Sequence, residues 1–505
     1  MTVMEHVRTG LVVDDLLREA VARRPHARAV SDATGGWTYA ELDAAARTGA
    51  AWLAAHGIGP GDRVVCRAGN VREFVALLFA TLRHGAIFVP INPGMRRYHL
   101  RSVLADADPR LVVTGDDDAV TVREVTDRPV VGLGTLRAAL SGPSLPPAGP
   151  AGPAPNGDAT ALLIYTSGST AAPKAVVSPH GTVVFAARAI ADRLRYRADD
   201  VVLCALPLAF DYGLYQVFLS VLAGAHLVLG EPAAHVRLIS TIREHGVTVV
   251  PVVPSLAEML VRLAARHSSV PAVRLFTNTG AALTAPMIAA LRQRFPGAGI
   301  VAMFGITECK RVTIAECDGD RGRPGSVGTA LDGTQVLILD DAGHPLPPGE
   351  CGEIAVRGPH VMAGYWRAPQ LSAQRFRRDP DTGTVTLHTG DYGRLDADGH
   401  LYFEGRRDDI FKRRGLRVSA VEIEAAACDV PGVRAAAVLP PTGRRDVALF
   451  AVTELAPADV LRALAERIED GKLPPACHVL PQLPLTANGK TDKRRLAELL
   501  DQPQE

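Results

Sequence analysis

The chain has 505 residues, more than one compact core accommodates, so two or three folding units are expected. Hydrophobic residues make up 47%, charged residues 22%, and the formal net charge is +1, which excludes a broad electrostatic footprint for nucleic acid or an anionic membrane. No basic stretch followed by an apolar one opens the chain, no apolar run is long enough to span a bilayer, and the seven scattered cysteines contain no CxxC pair, so a cytoplasmic protein without disulfides or a zinc site is expected.

Short β-branched runs alternate with helix-length stretches over residues 40–115 and again over 200–303 (VVLCALP, AHLVLG, VTVVPVV, VRLFTNTG, GIVAMFG). That alternation predicts βαβ units and mainly parallel sheets, an α/β fold. Between the two regions, residues 141–158 are rich in Pro, Gly and Ala and read as a surface loop. From about 328 to 405 short strands and tight turns (TQVLILDDAG, GEIAVRG, DGHLYFEG) predict a β-rich subdomain. After Gly405 a smaller α+β unit follows, with strands RAAAVLP and VALFAVTE and a helix near 457–469.

Residues 161–177 read ALLIYTSGSTAAPKAVV. An apolar run ends at Tyr165, and Thr166, Ser167, Gly168, Ser169 and Thr170 precede Pro173 and Lys174. Small hydroxyl residues and glycine let a loop aim backbone N–H groups at one point, a nest for phosphate oxygens with Lys174 as a point charge. GxxxxGK[ST] is absent, so this is not a P-loop. A Ser/Thr/Gly cluster by itself is more often a plain polar turn. The lysines add a second signal: only Lys174, Lys310, Lys412, Lys472, Lys490 and Lys493 occur among 55 basic residues. Where arginine is the default cation, a retained lysine marks a place that wants a compact ammonium.

YTSGSTxxPK resembles the signature of the adenylate-forming superfamily: acyl-CoA synthetases, the adenylation domains of nonribosomal peptide synthetases, and luciferases. The family's further motifs follow in order as FGITE (304–308), GEIAVRGPHVMAGYW (352–366), HTGDYGRLDADGHLYFEGRRDDIFKRRGLRVSAVEIE (388–424) and LPLTANGKTDKR (483–494). The resemblance implies an N-terminal domain over 1–407, holding nucleotide and acid, and a small mobile C-terminal domain over 408–505. It implies ATP and Mg2+ as cofactors. Phe304 is expected to stack on adenine, beside the small-residue turn Gly280, Ala281 and Ala282. Thr307 matches the α-phosphate donor and Glu308 the magnesium ligand. Asp391 and Arg406 match the two ribose contacts. Asp408 matches the hinge about which the C-terminal domain turns. One orientation brings in the catalytic Lys490; the other brings Gly415 and Arg417 to line a pantetheine tunnel. Ala171 and Ala175 depart from the pattern, since relatives commonly carry glycine there. Because alanine does not easily take φ > 0, a stiffer loop or weaker nucleotide binding is expected.

The segment LPLAFDYGLYQ (206–216) addresses the substrate. Phe210-Asp211 stands where many fatty- and aromatic-acid ligases of the family carry a histidine, as in enzymes that activate amino acids. Asp211 is expected to pair with a substrate ammonium; the alternative is an N-cap for a helix beginning near Tyr212. By alignment with the family, Arg311 falls near the pocket wall and would favour a second carboxylate. Tyr212, Tyr215, Thr277, Thr279 and Met303 are candidate wall residues, with core packing as the alternative for each. The pattern is somewhat similar to stand-alone enzymes that load β-amino acids in macrolactam pathways. The chain ends fifteen residues after Lys490 with no carrier segment, so the acceptor is expected to be the phosphopantetheine thiol of a separate carrier protein, or coenzyme A. Two other readings stand beside amino-acid adenylation: an acyl-CoA ligase for a non-amino acid, and a binding or regulatory homologue with weakened chemistry.

Overall fold

The computed structural model of the protein describes residues 10–142, 155–166, 174–231, 237–267, 269–406, 409–413, 416–442, 445–468, 470–486 and 490–501. The alternating β-branched runs form two large sheets. β1 (Arg28–Asp32) and β2 (Gly35–Thr38) sit at one edge of the first. β3 (Arg63–Arg67), β4 (Ile87–Pro90), β5 (Leu111–Thr114), β6 (Val130–Gly132), β7 (Thr160–Thr166) and β8 (Lys174–Pro179) make the second, in the order β6-β5-β3-β4-β7-β8. Its pairs are parallel except the β7–β8 hairpin. β9 (Val201–Cys204), β10 (His226–Leu229), β11 (Val249–Val252), β12 (Leu275–Asn278), β13 (Gly299–Phe304), β14 (Thr313–Ile314) and β15 (Thr329–Ala330) complete the first sheet, ordered β15-β14-β13-β12-β11-β9-β10-β1-β2. From β13 across to β1 it is parallel.

Helices Val13–Arg23, Tyr39–Ala55, Arg72–Arg83, His180–Leu194 and Asp211–Ala223 share one apolar core with strands of both sheets. Two of them are buried on nearly every side, Glu73 to Leu82 and Tyr212 to Val221, which is why their sequences carry no clean polar stripe. Helix Tyr39–Ala55 starts at a capping box: Thr38 accepts from Glu41 N, and Glu41 accepts from Thr38 N at 2.7 Å.

β16 (Gln335–Leu339), β17 (Gly352–Arg357), β18 (Phe376–Arg378), β19 (Val385–Leu395) and β20 (Leu401–Arg406) form the antiparallel, β-rich part over its own smaller core. Beyond Arg406 come a ribbon, β21 (Ile410–Arg413) and β22 (Leu416–Ser419), and a three-stranded sheet, β23 (Ala435–Leu439), β24 (Ala448–Val452) and β25 (Ala476–Val479). Helices Ala420–Cys428, Pro457–Ala465 and Lys493–Asp501 accompany them, and the apolar clusters of this region are separate from those before it. The α/β architecture with a β-rich region is the one expected from the alternation. Among the described residues no helix is long and apolar enough to cross a membrane.

One expectation is corrected. Ala175 is buried inside β8, opposite Tyr165 of β7. No left-handed conformation is called for there, and within a strand alanine is the better residue than glycine by about 0.5–1 kcal/mol. Ala171 lies outside the described residues.

Candidate active site

In parallel sheets the strand C-termini open on one edge, and loops there meet ligands. β9, β12 and β13 end on that edge, and each runs into a stretch singled out above. After β12 the chain turns at Gly280, whose φ of +85° is the left-handed region that favours glycine. The Asn278 amide donates to Val252 O and Ala281 O, fixing the turn, with Ala281 and Ala282 exposed beside it. A Cβ at Gly280 would lie 3.8 Å from Lys490 Cε, so the Lys490 loop reaches this turn from the far end of the chain.

β13 ends at Phe304, half-buried and stacked on Phe403 of β20, with ring centroids 5.2 Å apart. The next turn is tight. Lys310 N donates to Ile306 O at 2.7 Å, Lys310 has a φ of +67°, and a Cβ at Gly305 would collide with the Lys310 carbonyl. Half-buried Thr307 and Glu308 lie inside this turn. One Glu308 oxygen accepts from the Tyr365 hydroxyl at 2.6 Å.

Asp391 of β19 faces Arg406 of β20 in register, with 3.3 Å between Oδ1 and Nε. Asp391 is 3% exposed, and burial pushes its carboxyl up to about 6; nearby Glu308 adds to the rise, while Arg406 and Lys490 oppose it. Lys490 retains solvent exposure as a residue, yet its ammonium is crowded: burial and Arg406 lower its pKa, against Asp211 and Asp391. Thr486 N donates to Lys490 O at 2.7 Å, closing the loop that carries it. Glu308, Asp391, Arg406 and Lys490 thus converge from separate stretches. At the hairpin, Thr166 ends β7 opposite Lys174, the first residue of β8. Ser167, Gly168, Ser169 and Thr170 lie outside the described residues, as do Asp408 and Gly415; Arg417 is described only as backbone, in β22.

The acid side gathers around helix Asp211–Ala223. Asp211 is its first residue, Phe210 is the N-cap, and no side chain caps the helix, so the N-cap alternative for Asp211 is corrected. Its carboxylate lies 3.5 Å from Arg311 Nη1. Arg311 is 4% exposed, lies over the Tyr212 ring at 4.9 Å, donates to Lys310 O, and leaves its buried Nε without a partner among the described residues. The Tyr212 hydroxyl donates to Thr277 O at 2.7 Å, beside Thr277 Oγ1, so both hydroxyls are satisfied within the wall. Tyr215 and Thr279 are also buried, and neither hydroxyl has a partner among the described residues. Met303 is buried in β13.

Lys310 received no role from the sequence. It is wholly buried, donates to Thr307 O at 2.9 Å, and its ammonium stands 5.9 Å from the Tyr215 ring centroid. Burial pushes its pKa down to about 8. Its scarcity as a lysine was the available signal. Tyr365 was quoted within a motif, but nothing local pointed to Glu308.

The fold and this cleft define an adenylate-forming enzyme. The chain belongs to the AMP-binding enzyme family, whose model matches residues 17–366. It is 34% identical over 498 residues to a probable non-canonical nonribosomal peptide synthetase, CymA, of Salinispora arenicola, covering 96% of this chain and 6% of that protein. It spans at most 45% of the length of the peptide synthetases and enterobactin synthase component that it matches. A relative of comparable length is the sulfoacetate–CoA ligase of Cupriavidus necator, 33% identical over 88% of each chain. Among solved structures, a complex of VinN with L-aspartate is 46% identical, covers 78% of this chain and 99% of that one, and has a TM-score of 0.72; a second VinN complex holds 3-methylaspartate.

Proposed function

We propose that this protein uses ATP to turn an amino acid bearing a second acidic group into its acyl-AMP, and then passes the acyl group to the phosphopantetheine thiol of a separate carrier protein. The observation that carries the reading is the pairing of Asp211 with buried Arg311 beside buried Lys310. A half-buried carboxylate next to two buried cations suits a ligand that brings its own ammonium and its own anion, since unpaired buried charge is costly. The Asp211 carboxylate takes the substrate ammonium, and the Arg311 fork, with Lys310 behind it, takes the second carboxylate. VinN, seen with L-aspartate and 3-methylaspartate, supports this choice of substrate class.

In the first half-reaction a carboxylate oxygen of the acid attacks the α-phosphorus of ATP, and pyrophosphate leaves. Lys490 bridges carboxylate and α-phosphate and stabilises the charge that gathers there. Thr307 donates to the α-phosphate, and the 166–170 hydroxyls and Lys174 hold the outer phosphates. Asp391 accepts from the ribose hydroxyls, with Arg406 beside it, while Phe304 and the 280–282 turn enclose the base. Glu308 offers the hard carboxylate oxygen that Mg2+ prefers, and the bound ion would neutralise phosphate charge. In the second half-reaction the thiol sulfur attacks the acyl carbon and AMP leaves. The unit 408–505 turns at Asp408, removing Lys490 and bringing Gly415 and Arg417 to the thiol channel.

A second reading changes only the acceptor. The match to a sulfoacetate–CoA ligase over most of both chains favours coenzyme A, and sulfoacetate also carries an anion beyond its carboxylate. An ATP–pyrophosphate exchange screen tests the substrate class. Aspartate-like amino acids should outrun both glycine-like amino acids and desamino diacids by at least about tenfold, the scale of one charge pair. Equal rates for the desamino diacids would overturn the ammonium assignment. Thioester formation with carrier protein against coenzyme A separates the two acceptors.

A further inference from the structure

The Glu308 residue is gripped at two points from one short segment. Met362 N donates to its carbonyl at 2.9 Å, and the Tyr365 hydroxyl donates to its carboxylate Oε1 at 2.6 Å, within the range of a charge-assisted bond. The segment is in turn fastened to β8, the strand that Lys174 opens. Ala363 N donates to Val177 O, Val177 N to Gly364 O, and Trp366 N to Ala175 O, all between 2.9 and 3.0 Å. Tyr365 N donates to Ser372 Oγ, and the Tyr365 ring meets Phe376 edge-on. The phenol therefore has little freedom to move away from the carboxylate.

We propose that Tyr365 is a positioning residue: it ties down one oxygen of Glu308 so that the other is presented to the metal of the nucleotide. The proposal rests on the reading of Glu308 as that metal's ligand. An ionised carboxylate offers about four lone-pair sites over two oxygens, and an untethered Glu side chain distributes itself among rotamers. Occupying Oε1 leaves Oε2, in a fixed place, as the free donor. The strap 362–366 then links the phosphate hairpin and the metal carboxylate, so both are set relative to one strand rather than to two independent loops. Outer partners of metal ligands contribute in this way, and losing one typically weakens metal binding by about 10–100-fold.

The test is Tyr365→Phe in the full chain. Binding of Mn2+ in the presence of α,β-methylene-ATP is followed by EPR of the enzyme-bound ion. The Tyr365→Phe variant should need ~10–100-fold more Mn2+ for half-occupancy. Its adenylation rate should recover at high Mg2+, and its affinity for AMP without metal should match the parent. In a Glu308→Gln background the same substitution should add nothing. Ser372→Ala loosens the strap but leaves the phenol, so it should lower Tm and leave Mn2+ binding unchanged. Weakening by Glu308→Gln but not by Tyr365→Phe overturns this inference and leaves the metal assignment intact. No weakening by Glu308→Gln overturns that assignment first. Equal weakening by Ser372→Ala and Tyr365→Phe reduces Tyr365 to a structural part of the strap.

Discussion

At the nucleotide end of the cleft, Glu308, Asp391, Arg406 and Lys490 arrive from the turn after β13, from β19, from β20 and from a loop near the end of the chain, and burial opposes the charge on Asp391 and Lys490. At the acid end, Asp211, Tyr212, Lys310 and Arg311 come from two short stretches and hold one another through an ion pair, a cation–π contact and a hydrogen bond to a carbonyl. In the first set, burial works against the charge of both an acid, Asp391, and a base, Lys490. In the second the charged groups pair with one another, while Arg311 Nε and the Tyr215 and Thr279 hydroxyls have no partner among the described residues, so a ligand both exchanges and adds partners. Under the proposed function, ATP affinity is expected to draw on cations such as Lys490, and selectivity for the acid on exchange of the Asp211–Arg311 pair.

The strongest blow to this contrast is Asp211→Asn. If the carboxylate pairs with a desolvated substrate ammonium, its loss costs ~3–5 kcal/mol, or about 10²-fold to several thousand-fold in kcat/KM for the amino acid. A desamino analogue should move the other way relative to it. Measuring kcat/KM for both acids with both enzymes gives the ratio, and a ratio that stays put removes Asp211 from substrate recognition.

Lys490→Ala strikes the other end. Losing one preorganised donor should slow adenylation by ~10²–10³-fold. If the unit carrying Lys490 turns between the two half-reactions, thioester formation from supplied acyl-AMP should suffer far less. Single-turnover assays of the two half-reactions read this directly, and equal losses would argue against a rotating C-terminal unit.

The smallest effect sharpens the claim of crowding. The carboxyl of Asp391 titrates at about 6 in the fold, above its ordinary value, chiefly through burial. Between about pH 4 and 6 the folded chain therefore binds more protons than the unfolded one, so this group's contribution to stability falls as pH rises through that window. Above it the charge costs on the order of 3 kcal/mol. Asp391→Asn should accordingly raise Tm at pH 7.5 while abolishing ATP binding, and the gain should vanish near pH 4. Thermal unfolding of both proteins at the two pH values decides it; a lower Tm at pH 7.5 would mean that the ion pair with Arg406 outweighs burial.

Much of this molecule was legible along the chain. The β-branched runs within 40–115 and 200–303 predicted strands of both large sheets, although β1, β2, β6, β7, β8, β14 and β15 lie outside them, and the helix near 457–469 is present as Pro457–Ala465. Asp391 and Arg406 stood in quoted strings, and their facing register follows from two consecutive strands joined by a tight turn. Other readings failed for identifiable reasons. Ala175 was taken for a loop residue because a missing glycine suggests a lost left-handed turn, but the hairpin strand already begins at Lys174. The N-cap alternative for Asp211 arose because Asp at a helix start usually is one, but the helix begins one residue earlier than expected, and the carboxylate faces Arg311.

The sequence by itself determined the α/β architecture, the family, and which short stretches carry the candidate nucleotide chemistry. These rest on local periodicity and on strings of adjacent residues, which the chain displays without folding. The tertiary structure alone decided that Asp211 meets Arg311 across a separation of 100 residues, that Tyr365 reaches Glu308 across 57, and that Lys310 is buried beside Tyr215 rather than solvated. Such pairings depend on how sheets and turns pack in space. A residue's type constrains what it can bond to, but only the fold fixes which partner comes within reach.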